Sequence, residues 1–299
     1  MNSISPRAST VFVPCGIPVD STLLDFLSER FPHIGAETWE SRIGEGKVRF
    51  GDGTAAFALS KVGPGMEIRY FREVSAEPRK FEAHQILYRD DHILVACKPH
   101  FLPVVPGGKF VRECLLYHLM EETGLSGLTP VHRIDRHTAG LVLFSIHENE
   151  RGRYHNLFKE RQVEKEYLAN VGWLSGPPAE DSWELGGRIE KYGPYLRCHL
   201  AEGVPNAFCR ISLLERSGAY AGLALYPFTG KRHQLRLQVS QIGAAILHDP
   251  YYPDLLPEVP DDPARPLQLL SKSLRFRDPF TQRERAFTSP RVLLPLPGD

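Results

Sequence analysis

Short apolar segments of strand length, mixed with short amphipathic helices, constrain the fold of this chain more than any other feature. Residues 93–97 and 138–146 are mainly apolar, and apolar side chains alternate along residues 167–173, a pattern typical of β-strands. Residues 111–120 show helical spacing instead, and Gly124 is placed to end that helix. This mixture of strands and helices predicts an α+β catalytic domain.

The N-terminal part of the chain predicts a second, smaller module. Helical spacing over residues 23–31 and 39–43 is followed by strand and turn patterns over 46–53 and 63–70. We therefore expect a small α+β domain over residues 19–75.

This order of helix, helix, strand and strand resembles the S4 RNA-binding domain. S4 domains are usually basic, whereas residues 20–74 hold seven Lys/Arg and nine Asp/Glu, so a packing or substrate-positioning module is an equal alternative. A loose arm is expected over residues 1–18. A linker is expected over 74–81, and the catalytic domain over 76–299.

Composition and charge limit the classes of function. The chain has 36 Lys+Arg and 36 Asp+Glu, so its formal net charge is zero; any RNA-binding charge must therefore be local. Neither a run of about 20 apolar residues nor a secretory pattern is visible, which predicts a cytoplasmic enzyme or binding protein. The five cysteines lack a CxxC pair, which favours reduced, mostly buried thiols and no metal site.

The segment from His132 to Phe144 is the most informative for chemistry. Asp135 stands among Arg133, Arg136 and His137, directly before an apolar strand. A carboxylate surrounded by cations stays ionised, and it can act as a nucleophile, as a base or only as a turn residue. The residue types alone favour the turn, and they leave a metal-dependent hydrolase as a minor alternative. The kinase catalytic loop is excluded, because its accompanying motifs are absent.

Five segments together resemble the RluA-type pseudouridine synthases. His132-Arg-Ile-Asp-Arg-His-Thr-Ala-Gly-Leu-Val-Leu-Phe144 is similar to the family signature. The other matching segments occur in the same order along the chain: 86–99, 165–169, 229–236 and 246–252. A single short motif would be weak evidence, whereas ordered matches over residues 81–255 are specific.

The resemblance implies an RNA pseudouridine synthase that isomerises uridine in ribosomal or transfer RNA. It implies a central mixed, largely antiparallel sheet flanked by helices, and an everted target nucleotide. It implies no cofactor and no metal, and we expect a monomer. A non-catalytic RNA-binding or assembly protein on the same fold is the alternative.

The resemblance also implies roles for individual residues. Asp135 would be the essential carboxylate, either adding to C1′ or removing a C2′ proton. Tyr167 would lie against the uracil and take the C5 proton, and Arg236 would pair with Asp135. The RNA-contact residues would be Arg133, Arg136, Lys231, Arg232 and His233, with Arg133 filling the space that the target base vacates.

Overall fold

The computed structural model describes residues 3–74, 76–77, 82–192, 197–257 and 259–298. Two compact units make up the chain: unit 1 is Met1–Pro78 with Pro106–Arg112, and unit 2 is Arg79–Val105 with Glu113–Asp299. The linker predicted over 74–81 lies mostly outside the described residues. None of the described helices combines the length and the apolar character that crossing a bilayer requires.

Unit 1 contains a three-stranded antiparallel sheet, a separate two-stranded pairing and two helices. Its elements are β1 (Ser3–Ile4), β2 (Ser9–Phe12), α1 (Leu23–Arg30), α2 (Ala36–Gly44), β3 (Val48–Phe50), β4 (Glu67–Tyr70) and β5 (Glu73–Val74).

Both predicted helices of unit 1 are confirmed. Thr22 caps α1 in a reciprocal capping box with Asp25, and Trp39 of α2 is fully buried. The loose arm predicted over residues 1–18 is wrong for β2, because β2 pairs antiparallel with β4 in the sheet order β2-β4-β3. The S4-like assignment stays a prediction.

Unit 2 is built on one large sheet. Its first elements are β6 (Gln85–Arg89), β7 (Ile93–Lys98), α3 (Leu115–Thr123), β8 (Thr129–Pro130), β9 (Ala139–Ser145), α4 (Arg151–Lys159) and β10 (Glu164–Trp173). The later elements are β11 (Ser182–Tyr192), β12 (Arg197–Ala201), β13 (Ala207–Ser217), β14 (Tyr220–Pro227), α5 (Gln234–Gln241), β15 (Ala244–Ile246), β16 (Leu269–Arg277) and β17 (Glu284–Thr288).

The sheet order is β12-β11-β13-β14-β10-β16-β9-β7-β6, and β15, β17 and β8 pair with β10, β16 and β9. Within the described residues, β9 and β16 run parallel and the other neighbours run antiparallel. The predicted α+β fold with a mixed, largely antiparallel sheet is therefore confirmed.

Helices cover both faces of the sheet. Helix α3 packs in one core with Ala96 of β7 and Phe144 of β9, whereas α4 packs in another with Val95 and Leu143 of the same two strands. Successive residues of a strand point to opposite faces, so β7 and β9 are buried on both sides. This double burial explains why both strands are apolar along their length.

The parallel pairing of β9 with β16 depends on Gly140. Gly140 is in register with Ser271, has φ +110, and offers no room for a Cβ, which would clash with the Ser271 carbonyl. Glycine alone adopts such a backbone without strain. The strand that follows Asp135 is thereby held close against β16.

Candidate active site

Asp135 lies on a loop, residues 131–138, which we call the aspartate loop. The loop closes on itself through the Thr138 N–H, which donates to the Asp135 carbonyl at 3.1 Å. His132 ties it to β9, because its Nε2 accepts a hydrogen bond from the Leu143 N–H at 3.1 Å. The His132 ring also stacks on Phe158 of α4, with centroids 4.7 Å apart. The loop is therefore fixed at both ends.

Two further side chains hold the middle of the aspartate loop. Lys98 is fully buried, and its Nζ donates to the Arg136 carbonyl at 3.1 Å and to two carbonyls of its own segment. Burial lowers the pKa of Lys98 well below its ordinary value. His100 Nδ1 lies 2.6 Å from the His137 carbonyl, which can only accept, so Nδ1 carries the hydrogen.

Four histidines lie on the aspartate loop or beside it, and we call them the histidine cluster. His100 contacts the backbone of the loop, His132 and His137 belong to the loop, and His233 Nε2 lies 3.9 Å from Asp135 Oδ2. Burial lowers their pKa values to about 4, about 3, about 2 and about 4, in that order. At neutral pH all four imidazoles are therefore uncharged. They contribute hydrogen bonds of fixed direction to the site and no positive charge.

The positive charge of the site comes from Arg236 of α5. Its side chain and that of Asp249 are each 1% exposed; Nε donates to Asp249 Oδ2 at 2.7 Å, and Nη2 donates to Oδ1. Its guanidinium also lies 4.8 Å from the Tyr251 ring centroid and 5.3 Å from that of Tyr252. Burial acts to lower the pKa of Arg236, but the hydrogen bonds and charge of Asp249 outweigh it and raise that pKa.

Asp135 is open to solvent on one side, with its side chain 30% exposed. Arg236 Nη1 lies 3.6 Å from Asp135 Oδ2, and His233 Nε2 lies 3.9 Å from the same oxygen. Nη1 is buried and has no hydrogen-bond partner within the described part of the chain. The structure brings Arg236 within 3.6 Å of Asp135, but the two hydrogen bonds of its guanidinium go to Asp249.

Tyr167 of β10 is both a core residue and a neighbour of the site. It is 9% exposed and packs in the core that α5 covers. A bulge between Glu166 and Tyr167 places Tyr167 in register with Ser271. Burial, together with the charge of Asp135, raises the pKa of Tyr167 to about 12, so the phenol is neutral at physiological pH. The nearby Ser271 hydroxyl opposes this shift, although within the described ranges it has no hydrogen-bond partner at normal distance.

The predicted RNA-contact residues fall into two groups. Arg133, Lys231 and Arg232 are exposed, as contact with phosphates requires. Arg136 is partly buried and its Nη1 donates to Asp261 at 2.6 Å, whereas His233 is buried. Arg236 follows these cations closely in sequence, but it turns inward to Asp249 and adds no exposed charge.

Three important residues were missed in the sequence: Lys98, Asp249 and Tyr252. Each lies in a segment that matches the family pattern, so the signal for their position was present. A motif gives no information about which partner a buried side chain meets, and their roles follow only from the contacts.

Across the described ranges, no three or more His, Cys, Asp or Glu side chains are grouped so that they could hold an ion. Cys97, Cys114, Cys198 and Cys209 are buried free thiols, and Cys15 is exposed, in line with the predicted burial of most thiols.

Comparisons with known proteins agree on one family. The family model described as RNA pseudouridylate synthase matches residues 92–241. An uncharacterised RNA pseudouridine synthase of Synechocystis is 29% identical over 233 residues, covering 77% of this chain and 79% of that protein. The dual-specificity RNA pseudouridine synthase RluA of Pasteurella multocida is 30% identical over 209 residues, covering 69% of this chain and 92% of that one.

A solved structure supports the fold. The human protein described as RNA pseudouridylate synthase domain containing 1 superimposes with a TM-score of 0.57 at 23% identity. The match covers 72% of this chain and 86% of the human one.

Proposed function

The chain belongs to the RNA pseudouridylate synthase family and is an RNA pseudouridine synthase, and from that premise we propose that Asp135 is its catalytic carboxylate. In this isomerisation the N1–C1′ bond of a uridine breaks, the uracil turns, and C5 bonds to C1′ while the C5 proton leaves and N1 gains one. An ionised oxygen must meet the ribose at the start. The observation that carries the proposal is the solvent-open Asp135 carboxylate on a loop that is fixed at both ends.

Tyr167 and Arg236 have supporting roles in this proposal. Arg236 supplies a permanent positive charge 3.6 Å from Asp135 Oδ2, which attracts the carboxylate and helps to hold it in place. Tyr167 provides a flat apolar ring beside it, suited to pack against a uracil. Because its phenol is neutral, we expect it to accept the C5 proton only as it passes its own proton on.

The RNA would approach through the exposed cations. Lys231 and Arg232 precede α5 and suit phosphate contacts, and Arg133 suits the space left by the everted base, since a guanidinium stacks on bases and bonds phosphates. Arg136 would reach a phosphate only by breaking its ion pair with Asp261, so we expect it to contribute less to RNA binding than the exposed cations do. The His233 side chain is buried, so we propose no direct RNA contact for it.

Ribosomal or transfer RNA in the cytoplasm is the proposed substrate, and a monomer is the proposed active form. The monomer is supported by the origin of the site: Asp135, Tyr167 and Arg236 all belong to unit 2. The net charge of zero supports recognition of a defined RNA site over general attraction to RNA.

The substitution Asp135→Asn tests the proposal. It keeps the shape of the side chain and removes the charge, so pseudouridine formation should be lost while melting temperature and RNA affinity stay near wild type. Tritium release from RNA labelled at uridine C5 measures the reaction. Asp91→Asn removes an exposed carboxylate elsewhere in unit 2 and should keep full activity. Near-normal turnover by Asp135→Asn would refute the assignment.

A further inference from the structure

The Tyr252 hydroxyl connects strand β12 to the candidate active site. Its oxygen accepts a hydrogen bond from the Cys198 N–H at 2.7 Å. It also lies 3.0 Å from the Cys198 carbonyl oxygen and 2.9 Å from His233 Nδ1. Tyr252 and His233 are both buried, so each of these groups depends on the others for its hydrogen bonds.

The phenol has one hydrogen, and two acceptors compete for it. If the hydrogen goes to the Cys198 carbonyl, His233 must carry its own hydrogen on Nδ1, and the Nε2 lone pair then faces Asp135. If it goes to Nδ1, the imidazole carries its hydrogen on Nε2 and turns an N–H toward the carboxylate. Burial holds the pKa of His233 at about 4, so one nitrogen only is protonated at neutral pH. The second arrangement takes from the Cys198 carbonyl the hydrogen bond that Tyr252 can donate at 3.0 Å. An N–H turned toward a charged carboxylate, in place of a lone pair, outweighs one hydrogen bond between neutral groups and favours the second arrangement.

Two buried nitrogens therefore face one oxygen of Asp135. His233 Nε2 and Arg236 Nη1 lie 3.9 Å and 3.6 Å from Oδ2, just beyond hydrogen-bonding distance. Such contacts are often long without substrate and shorten in the reacting complex. The shortest contacts of the carboxylate with the Arg236 and His233 side chains are both to Oδ2, and so the two oxygens are not equivalent.

We propose that His233 is a positioning residue: Tyr252 holds it as the Nε2–H tautomer, and with Arg236 it seats Asp135 Oδ2 so that Oδ1 meets the ribose. This inference rests on the proposed catalytic role of Asp135. It also assigns Tyr252 a function, since the tyrosine hydroxyl selects the tautomer. His233 thereby acts through Asp135 and is distinct from a surface RNA contact.

The tautomer can be observed directly. Nitrogen-15 NMR of the full chain, labelled at histidine, distinguishes a protonated ring nitrogen from an unprotonated one, and the His233 signals are those lost in His233→Gln. We expect Nε2–H in the wild type. We expect a smaller Nε2–H population in Tyr252→Phe and no change in Tyr154→Phe, which removes a buried phenol hydrogen bond to Asp278 instead. An Nδ1–H signal in the wild type would overturn the inference.

Turnover gives an independent test. Gln and Met are unbranched side chains of the same length, but only Gln can place an N–H near the position of Nε2. A hydrogen bond to a charged group contributes more than one between neutral groups. We therefore expect the kcat of His233→Met to be about tenfold below that of His233→Gln. The RNA Kd values of the two variants should agree within about twofold. Equal kcat values for the two variants would show that His233 serves packing alone.

The failure of this inference can be told apart from the failure of the proposed function. An active Asp135→Asn variant would refute both. An inactive Asp135→Asn variant combined with an Nδ1–H tautomer, or with equal kcat values for the two His233 variants, would refute the role of His233 and leave the role of Asp135 standing.

Discussion

Because Arg236 and Asp249 form a buried ion pair, we predict that Asp249→Asn has opposite effects on protein stability in the wild type and in an Arg236→Met variant. Asp249→Asn in the wild type removes the charge that compensates Arg236, and it should destabilise the protein. In an Arg236→Met background, Asp249 would be a buried anion without its cation, and the same Asp249→Asn change should stabilise. The Asn side-chain oxygen still accepts from the Tyr251 and Tyr252 N–H groups, as Asp249 Oδ1 does at 2.8 Å and 3.1 Å.

The burial of the pair sets the magnitude. Each side chain is 1% exposed, and removing one partner of a fully buried pair costs about 3–5 kcal/mol. A domain of this size loses about 2–4 °C in melting temperature per kcal/mol, so Arg236→Met should melt about 6–20 °C below the wild type. The double variant should recover part of that loss, because no unpaired charge stays buried.

Calorimetry of the four proteins measures the cycle, and tritium release measures activity. The double variant should stay inactive despite its recovered stability, because the guanidinium that faces Asp135 is still missing. The reasoning would be refuted if Asp249→Asn lowered the free energy of unfolding equally in both backgrounds. Restored turnover in the double variant would show that Arg236 acts only on stability.

Two further predictions concern the surroundings of Asp135. Gly140→Ala should cost about 2–5 kcal/mol of unfolding free energy in urea titrations, from positive φ and the clash with Ser271; Gly172→Ala, whose Cβ would meet only ordinary contacts, is the control, and an equal cost in both would contradict this. The histidine cluster has folded pKa values from about 2 to about 4, below the unfolded value. Unfolding therefore takes up protons below about pH 6.5, and stability should fall on acidification by up to about 1.4 kcal/mol per histidine and pH unit. Melting curves between pH 7 and 5, in about half-unit steps, show whether stability falls on acidification. A melting temperature that does not change with pH would show that the imidazoles are not held neutral.

The elements that could be predicted are those whose pattern comes from burial. Strands β7 and β9 are apolar on both faces because α3 and α4 cover opposite sides of them, and the sequence shows this directly. Strand β11 has two glycines and several charged residues, and it was not predicted. Its pairing with β12 and β13 stabilises it through contacts remote in sequence, which a local pattern does not contain.

The candidate site shows the same limit for side chains. The motifs predicted that Asp135 and Arg236 lie together, and the structure places them so. Helical spacing alone leaves open whether Arg236 faces solvent or the core, and it turns out to be 1% exposed. Its partner Asp249 lies in a segment that matches the family pattern. Whether the two residues form an ion pair depends on how α5 and the following loop pack, and a local sequence motif does not contain that information.

The geometry of the sheet explains how residues far apart in sequence reach one site. Ser271 of β16 is in register with Tyr167 on one side and with Gly140 on the other. Neighbouring strands lie about 4.8 Å apart, so the backbones of Tyr167 and Gly140 are held about 10 Å from each other. The aspartate loop ends at Thr138, two residues before that glycine. The absence of a side chain at residue 140 therefore lets β9 approach β16, and with it brings the Asp135 carboxylate close enough to Tyr167 for its charge to raise the pKa of the phenol.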